Sequence, residues 1–220
     1  MLLAGSLFAA DAKDDVKAAA KKLADGGNYS WKSTVELAGG GPFGGPTEGK
    51  RDKDGCVMLS LSMRDTTTEA VLKGDKAAVK VDGAWKTLAE VVADEQGPGR
   101  FLGRRLQNYK APAAEVEEIV AKSGELKADA GVIAGNLTED GAKALLSMGS
   151  RAGGTPPANA KGSVKFWLKD GALVKYEVKV QGTVSFGGND RDIDRTTTVE
   201  IKDVGTTKLD VPEDAKKKLS

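Results

Sequence analysis

The sequence contains no histidine. That absence removes the Ser–His and Cys–His nucleophile pairs, and with them the commonest metal ligand. Cys56 is the only cysteine, so neither an intrachain disulfide nor a cysteine-rich zinc site can form. Aromatic residues make up 5% of the chain, too few for the stacking platforms that hold single-stranded nucleic acid. Neither sign of charge dominates: 33 Lys plus Arg stand against 32 Asp plus Glu. Nothing in that balance draws the chain to a polyanion, and nucleic acid is excluded as a partner. No apolar run approaches the ~20 residues of a membrane-spanning helix, so no transmembrane span is expected. The G-x-S-x-G, S-x-x-K and Walker A patterns are also missing. No catalytic residue, no metal site and no cofactor is expected.

What is present begins with an apolar stretch, Met1 to Ala10, ending in small residues before the polar Asp11-Ala12-Lys13-Asp14-Asp15. An apolar segment closed by a small-residue cleavage site has this form, although the basic flank is missing. We read residues 1–10 as a signal-peptide remnant and 11–220 as a single domain; the alternative is a short buried strand or helix turn. Leu3-Ala4-Gly5 is similar to the residues before a lipidated cysteine, but Ser6 cannot form the thioether.

From Asp11 to Ala24, Val16, Ala19, Ala20 and Leu23 recur at helical spacing with lysines between them, and Gly26-Gly27 ends the helix. Alternation then takes over. Tyr29, Trp31, Val35 and Leu37 share one face of a strand; Val57, Leu59, Leu61 and Met63 share another. The stretches 66–73 and 76–82 continue the pattern as a meander. Helical spacing returns at 88–93 and at 112–122, where Glu115, Glu117 and Glu118 read as the wet face. A strand-like run covers 125–135, and Thr138 reads as the N-cap of a helix carrying Ala142, Leu145 and Leu146. Three long strands close the pattern: Val164, Phe166 and Leu168 alternate with Lys165, Trp167 and Lys169, then Val174, Tyr176, Val178 and Val180 with polar residues, and Thr197, Val199 and Ile201 face inward from the last. Pro212 opens a final basic helix.

Three motifs have plain readings. Gly39-x-Gly41-x-x-Gly44 matches the dinucleotide fingerprint only formally, because Pro42 interrupts it and no helical pattern follows. Asp190-x-Asp192-x-Asp194 lacks the glycine and closing glutamate of a calcium loop, and reads as a solvated hairpin. Asn28-Tyr29-Ser30 and Asn136-Leu137-Thr138 match the glycosylation acceptor pattern, a triplet common by chance.

The order of elements, together with Val81-Asp82-Gly83-Ala84-Trp85, Asn136-Leu137-Thr138, the run Val164 to Gly171, and Val199 to Gly205 followed by Val211-Pro212-Glu213-Asp214-Ala215, resembles the LolA-like superfamily of lipoprotein and lipid carriers. The resemblance implies an α+β fold: a highly twisted antiparallel sheet forming an unclosed half-barrel, with helices across its mouth over an apolar cavity. It also implies a periplasmic or secreted carrier for acyl chains or lipoproteins. The alternative in the same fold is an envelope interaction or stress-sensing module with no lipid ligand. The expected cavity lining is Val35, Leu37, Val57, Leu59, Leu61, Phe166, Tyr176, Val178, Val199 and Ile201. A filled barrel that binds nothing would present the same residues.

Overall fold

The computed structural model describes residues 8–38, 45–63, 66–93, 99–147, 155–186 and 189–220. Most of the apolar leader, the glycine pattern at 39–44, the 149–154 part of the loop after the Thr138 helix and Gly187-Gly188 lie outside the described residues. Helix α1 (Phe8–Asp25) starts upstream of the expected Asp11 and buries Ala12, Val16, Ala19, Ala20 and Leu23 on one face.

A first meander follows: β1 (Tyr29–Leu37), β2 (Thr47–Arg51), β3 (Val57–Met63), β4 (Thr66–Lys73), β5 (Lys76–Val81) and β6 (Ala84–Thr87). The middle is helical, with α2 (Leu88–Ala93), α3 (Gly99–Gln107) and α4 (Pro112–Ala121). The second half runs β7 (Ser123–Asp129), β8 (Val132–Leu137), α5 (Glu139–Ser147), β9 (Ala158–Lys169), β10 (Ala172–Phe186), β11 (Asn189–Lys202) and α6 (Glu213–Leu219).

Among the described residues these strands form one eleven-stranded sheet in the order β6-β5-β4-β3-β2-β1-β11-β10-β9-β8-β7. Every neighbouring pair is antiparallel. Two meanders are thus joined where the first strand meets the last, and the free edges are β6 and β7. Those edges are consecutive in the chain, so α2, α3 and α4 connect one to the other. Helices across the mouth of an unclosed half-barrel follow from this connectivity.

Turn chemistry pins the register. Asp170 (φ 52°) and Gly171 (φ 69°) make the two-residue turn between β9 and β10, where only the left-handed region matches the strand twist. Thr138 caps α5 as expected: its Oγ1 accepts from the Gly141 N–H at 3.0 Å.

Three elements were not anticipated, namely β2, β6 and α3, and the expected single run at 125–135 is the hairpin β7–β8, turned at Ala130-Gly131. β2 (TEGKR) has no apolar alternation because its inward positions are Thr47 and Gly49. Gly49 lies beneath the Trp31 indole, and a Cβ there would come within 2.0 Å of Trp31 Cζ2.

The outer face differs between the halves. Over the first meander, α6 packs on β4, β5 and β6, and Ala215 closes a small cluster with Cys56, Val71 and Ala78. Burial raises the Cys56 thiol pKa, which suits its role as inert filler. Over the second half the outer face is wet and paired, with Lys165–Glu177 at 3.3 Å, Lys179–Asp194 at 3.4 Å and Lys175 over the Trp167 ring at 4.7 Å. Here the Asp190-x-Asp192-x-Asp194 carboxylates meet β10: Asp192 accepts from Thr183 at 2.8 Å and Asp194 from Gln181 at 2.7 Å.

Candidate ligand-binding face

Register defines the inner face. One row crosses both meanders as Leu61–Thr47–Ser33–Val199–Tyr176–Phe166–Ile133. A second runs Leu59–Gly49–Trp31–Ile201, and a third Val35–Thr197–Val178–Val164. Val57 follows in the row of Arg51 and Tyr29. All ten expected residues therefore project to one side.

Eight of the ten (Val57, Leu59, Leu61, Phe166, Tyr176, Val178, Val199 and Ile201) are buried in one continuous apolar cluster with the inner faces of α1, α4 and α5. Val35 and Leu37 are half-buried, as are their partners Thr197 and Arg195, so this end of the face is only partly covered. Two surface depressions lie elsewhere, one beside Gly124 and Asn136, the other beside Ala38, Lys161 and Gln181.

Polar groups enter this apolar region from both layers. On α4, Glu115 is only partly covered along its length, but its carboxyl end is enclosed by protein and accepts a hydrogen bond from the Tyr176 hydroxyl. The wet-face reading of Glu115 is thereby corrected. Its position falls between Pro112 and Ile119 at helical spacing, on the same stripe as the apolar residues. Burial raises its pKa, with the Tyr176 hydrogen bond opposing. Glu118 fits the wet-face reading: Lys110 and Lys122 bind it and hold its carboxyl low.

All three tyrosines of the chain gather here: Tyr109 and Tyr176 lie within electrostatic reach of Glu115, and Tyr29 within reach of both phenols. Tyr29 and Tyr176 are fully buried, and the hydroxyls of Tyr29 and Tyr109 are buried without a hydrogen-bond partner of good geometry. Burial raises all three phenols, Tyr109 and Tyr176 well above the ordinary tyrosine range, and the negative charge of Glu115 adds to both. Arg195 on β11 lies within electrostatic reach of Glu115, and Arg105 on α3 within reach of Tyr109. Arg195 Nη2 donates to the Leu145 carbonyl at 2.9 Å, and Arg105 Nη2 to Thr47 Oγ1 at 2.8 Å. Sequence patterning missed this group because its members come from six separate elements or connections.

The class of fold is therefore an open antiparallel half-barrel, bridged edge to edge by helices that rest on an apolar inner face. In chain path it is similar to LprF from Mycobacterium bovis, over 94% of this chain and 99% of that one, at 13% identity and a TM-score of 0.46. It is similar also to a LolA superfamily protein from Nitrosomonas europaea, over 94% and 96% of the two chains, at 6% identity and a TM-score of 0.34. No protein-family model matches the sequence, and no curated protein matches it. Among the described residues, no helix is long and apolar enough to cross a membrane.

Proposed function

We propose that the protein is a non-catalytic, exported carrier that holds lipid or lipoprotein acyl chains against the inner face of its half-barrel. In this reading residues 1–10 are a removed leader and 11–220 the working domain. One observation carries it: an apolar face continuous across both meanders is covered by separate helices, not by strands hydrogen-bonded into the sheet. A strand cover would close the barrel and fix the interior. A helical cover is held by side-chain contacts, which an apolar guest can replace in kind. The half-covered strip at Val35 and Leu37 is the entrance. Each methylene transferred there contributes ~0.8 kcal/mol, so an eight-carbon segment supplies roughly 6 kcal/mol against the cost of displacing the helices.

The test is uptake of a fluorescent long-chain fatty acid. Saturable binding is expected, and Val35→Asp should abolish it while leaving the circular dichroism spectrum unchanged. Absence of saturable binding by the folded protein refutes the carrier. The burial of eight inner-face residues under helices favours a second reading, an envelope interaction module of the same fold with a filled interior. A stable protein complex with no bound lipid is its expected signature.

A further inference from the structure

The six polar groups on the inner face are unbalanced. Tyr109 holds a buried hydroxyl without a partner, and the Tyr29 hydroxyl has the Ala113 backbone beside it but no partner of good geometry for its own proton. Arg105 and Arg195 each carry five N–H donors, and the hydrogen bonds above engage one nitrogen of each, both with neutral oxygens. Neither guanidinium forms an ion pair among the described residues. Glu115 is the one carboxylate of the group, and it already accepts from Tyr176. Donors exceed acceptors. With Glu115 ionised the group retains one positive charge, and with Glu115 protonated it retains two. An unmatched, largely buried cation is costly, and so is a buried donor left unmade.

We infer that this cluster is a receptor for one anionic oxygen group, the carboxylate or phosphodiester of an amphiphile whose chain lies along the apolar rows. The inference rests on the carrier reading and names the head group that the carrier selects. A carboxylate or phosphodiester brings at least two acceptor oxygens and one negative charge, which is what the cluster lacks. Guanidinium groups match either anion with paired N–H donors, and the phenols add single donors. Arg195 sits in the row of Leu37 and Val180, at the half-covered end, so it is the first cation that an entering head group meets. Arg51 is held differently: its Nη1 is shared between the Ala24 and Gly27 carbonyls at 3.2 and 3.0 Å, and its guanidinium lies over the Tyr29 ring at 5.9 Å.

The experiment compares cis-parinaric acid with its methyl ester, two probes of one chain that differ only in the charge of the head group and one methyl. The acid should bind about tenfold more tightly near neutral pH, the worth of one or two charge-assisted hydrogen bonds. Displacement by lysophosphatidylglycerol but not by an uncharged monoacylglycerol would identify the phosphodiester as the preferred anion. Failure of lysophosphatidylglycerol to compete would identify the carboxylate. Arg105→Gln with Arg195→Gln should bring the acid-to-ester ratio to about one without weakening the ester. Equal binding of acid and ester by the unaltered protein overturns the receptor and leaves the carrier standing. No binding of either probe overturns both, and since that comparison needs no variant, misfolding cannot blur it.

Discussion

Tyr29, Tyr109 and Tyr176 are the only tyrosines in the chain, and burial raises the phenol pKa of each. Folding therefore suppresses every tyrosinate the protein could form. Phenols with raised folded-state values contribute stability that is intact below about pH 10 and is lost as pH rises above it. Tyrosinate absorbance should appear only together with alkaline unfolding seen by circular dichroism; a gradual rise in a still-folded protein would show that these hydroxyls are wet. Glu115 makes a second prediction. Its raised carboxyl contributes stability that is fully present below the ordinary glutamate value of about 4.3 and is lost as pH rises through the folded value. Glu115→Gln should therefore gain on the unaltered protein as pH rises from 4 to 7 in urea unfolding midpoints. A constant difference across that range would mean that Glu115 is not the buried ionisable group. Helical spacing from Pro112 to Ile119 was the one signal that set Glu115 apart from Glu117 and Glu118, but its enclosure depends on Tyr176, a residue of β10 distant in sequence.

At the scale of elements, the long strands and helices were legible wherever local pattern and tertiary environment agree. β10 alternates because one face meets α1 and α5 and the other meets water. The Thr138 cap was legible because its chemistry is local, and Thr138→Ala should cost about 1 kcal/mol in thermal or urea unfolding. β2 was not legible because it exists through its neighbours: β1 and β3 supply its ladders and Trp31 covers Gly49. Gly49→Ala forces the indole or the strand to move. It should cost roughly 1–3 kcal/mol, the usual penalty of overpacking; a neutral result would place Trp31 elsewhere. α3 eluded patterning because it is short and its nine residues (GRFLGRRLQ) include two glycines, which weaken a helix, while its buried Leu102 and Leu106 gain their role from the apolar cluster they join.

For the whole molecule, the open half-barrel is what the family resemblance implied, and its connectivity explains why it stays open. The free edges β6 and β7 are tied by a helical segment too far from strand geometry to pair with either, so the cover over the inner face is helical by construction. Which apolar residues face inward was legible from period-two alternation. How closely the helices fill that face was not, since it depends on packing between elements distant in sequence. The carrier reading needs the cover to yield to a guest, and the most direct measurement is mass spectrometry of solvent extracts from the protein purified folded from its native host. Stoichiometric acyl-chain amphiphiles, released on unfolding and absent from a Val35→Asp control, are the expected result. Lipid-free extracts from a protein that also fails to take up fatty-acid probes would contradict it.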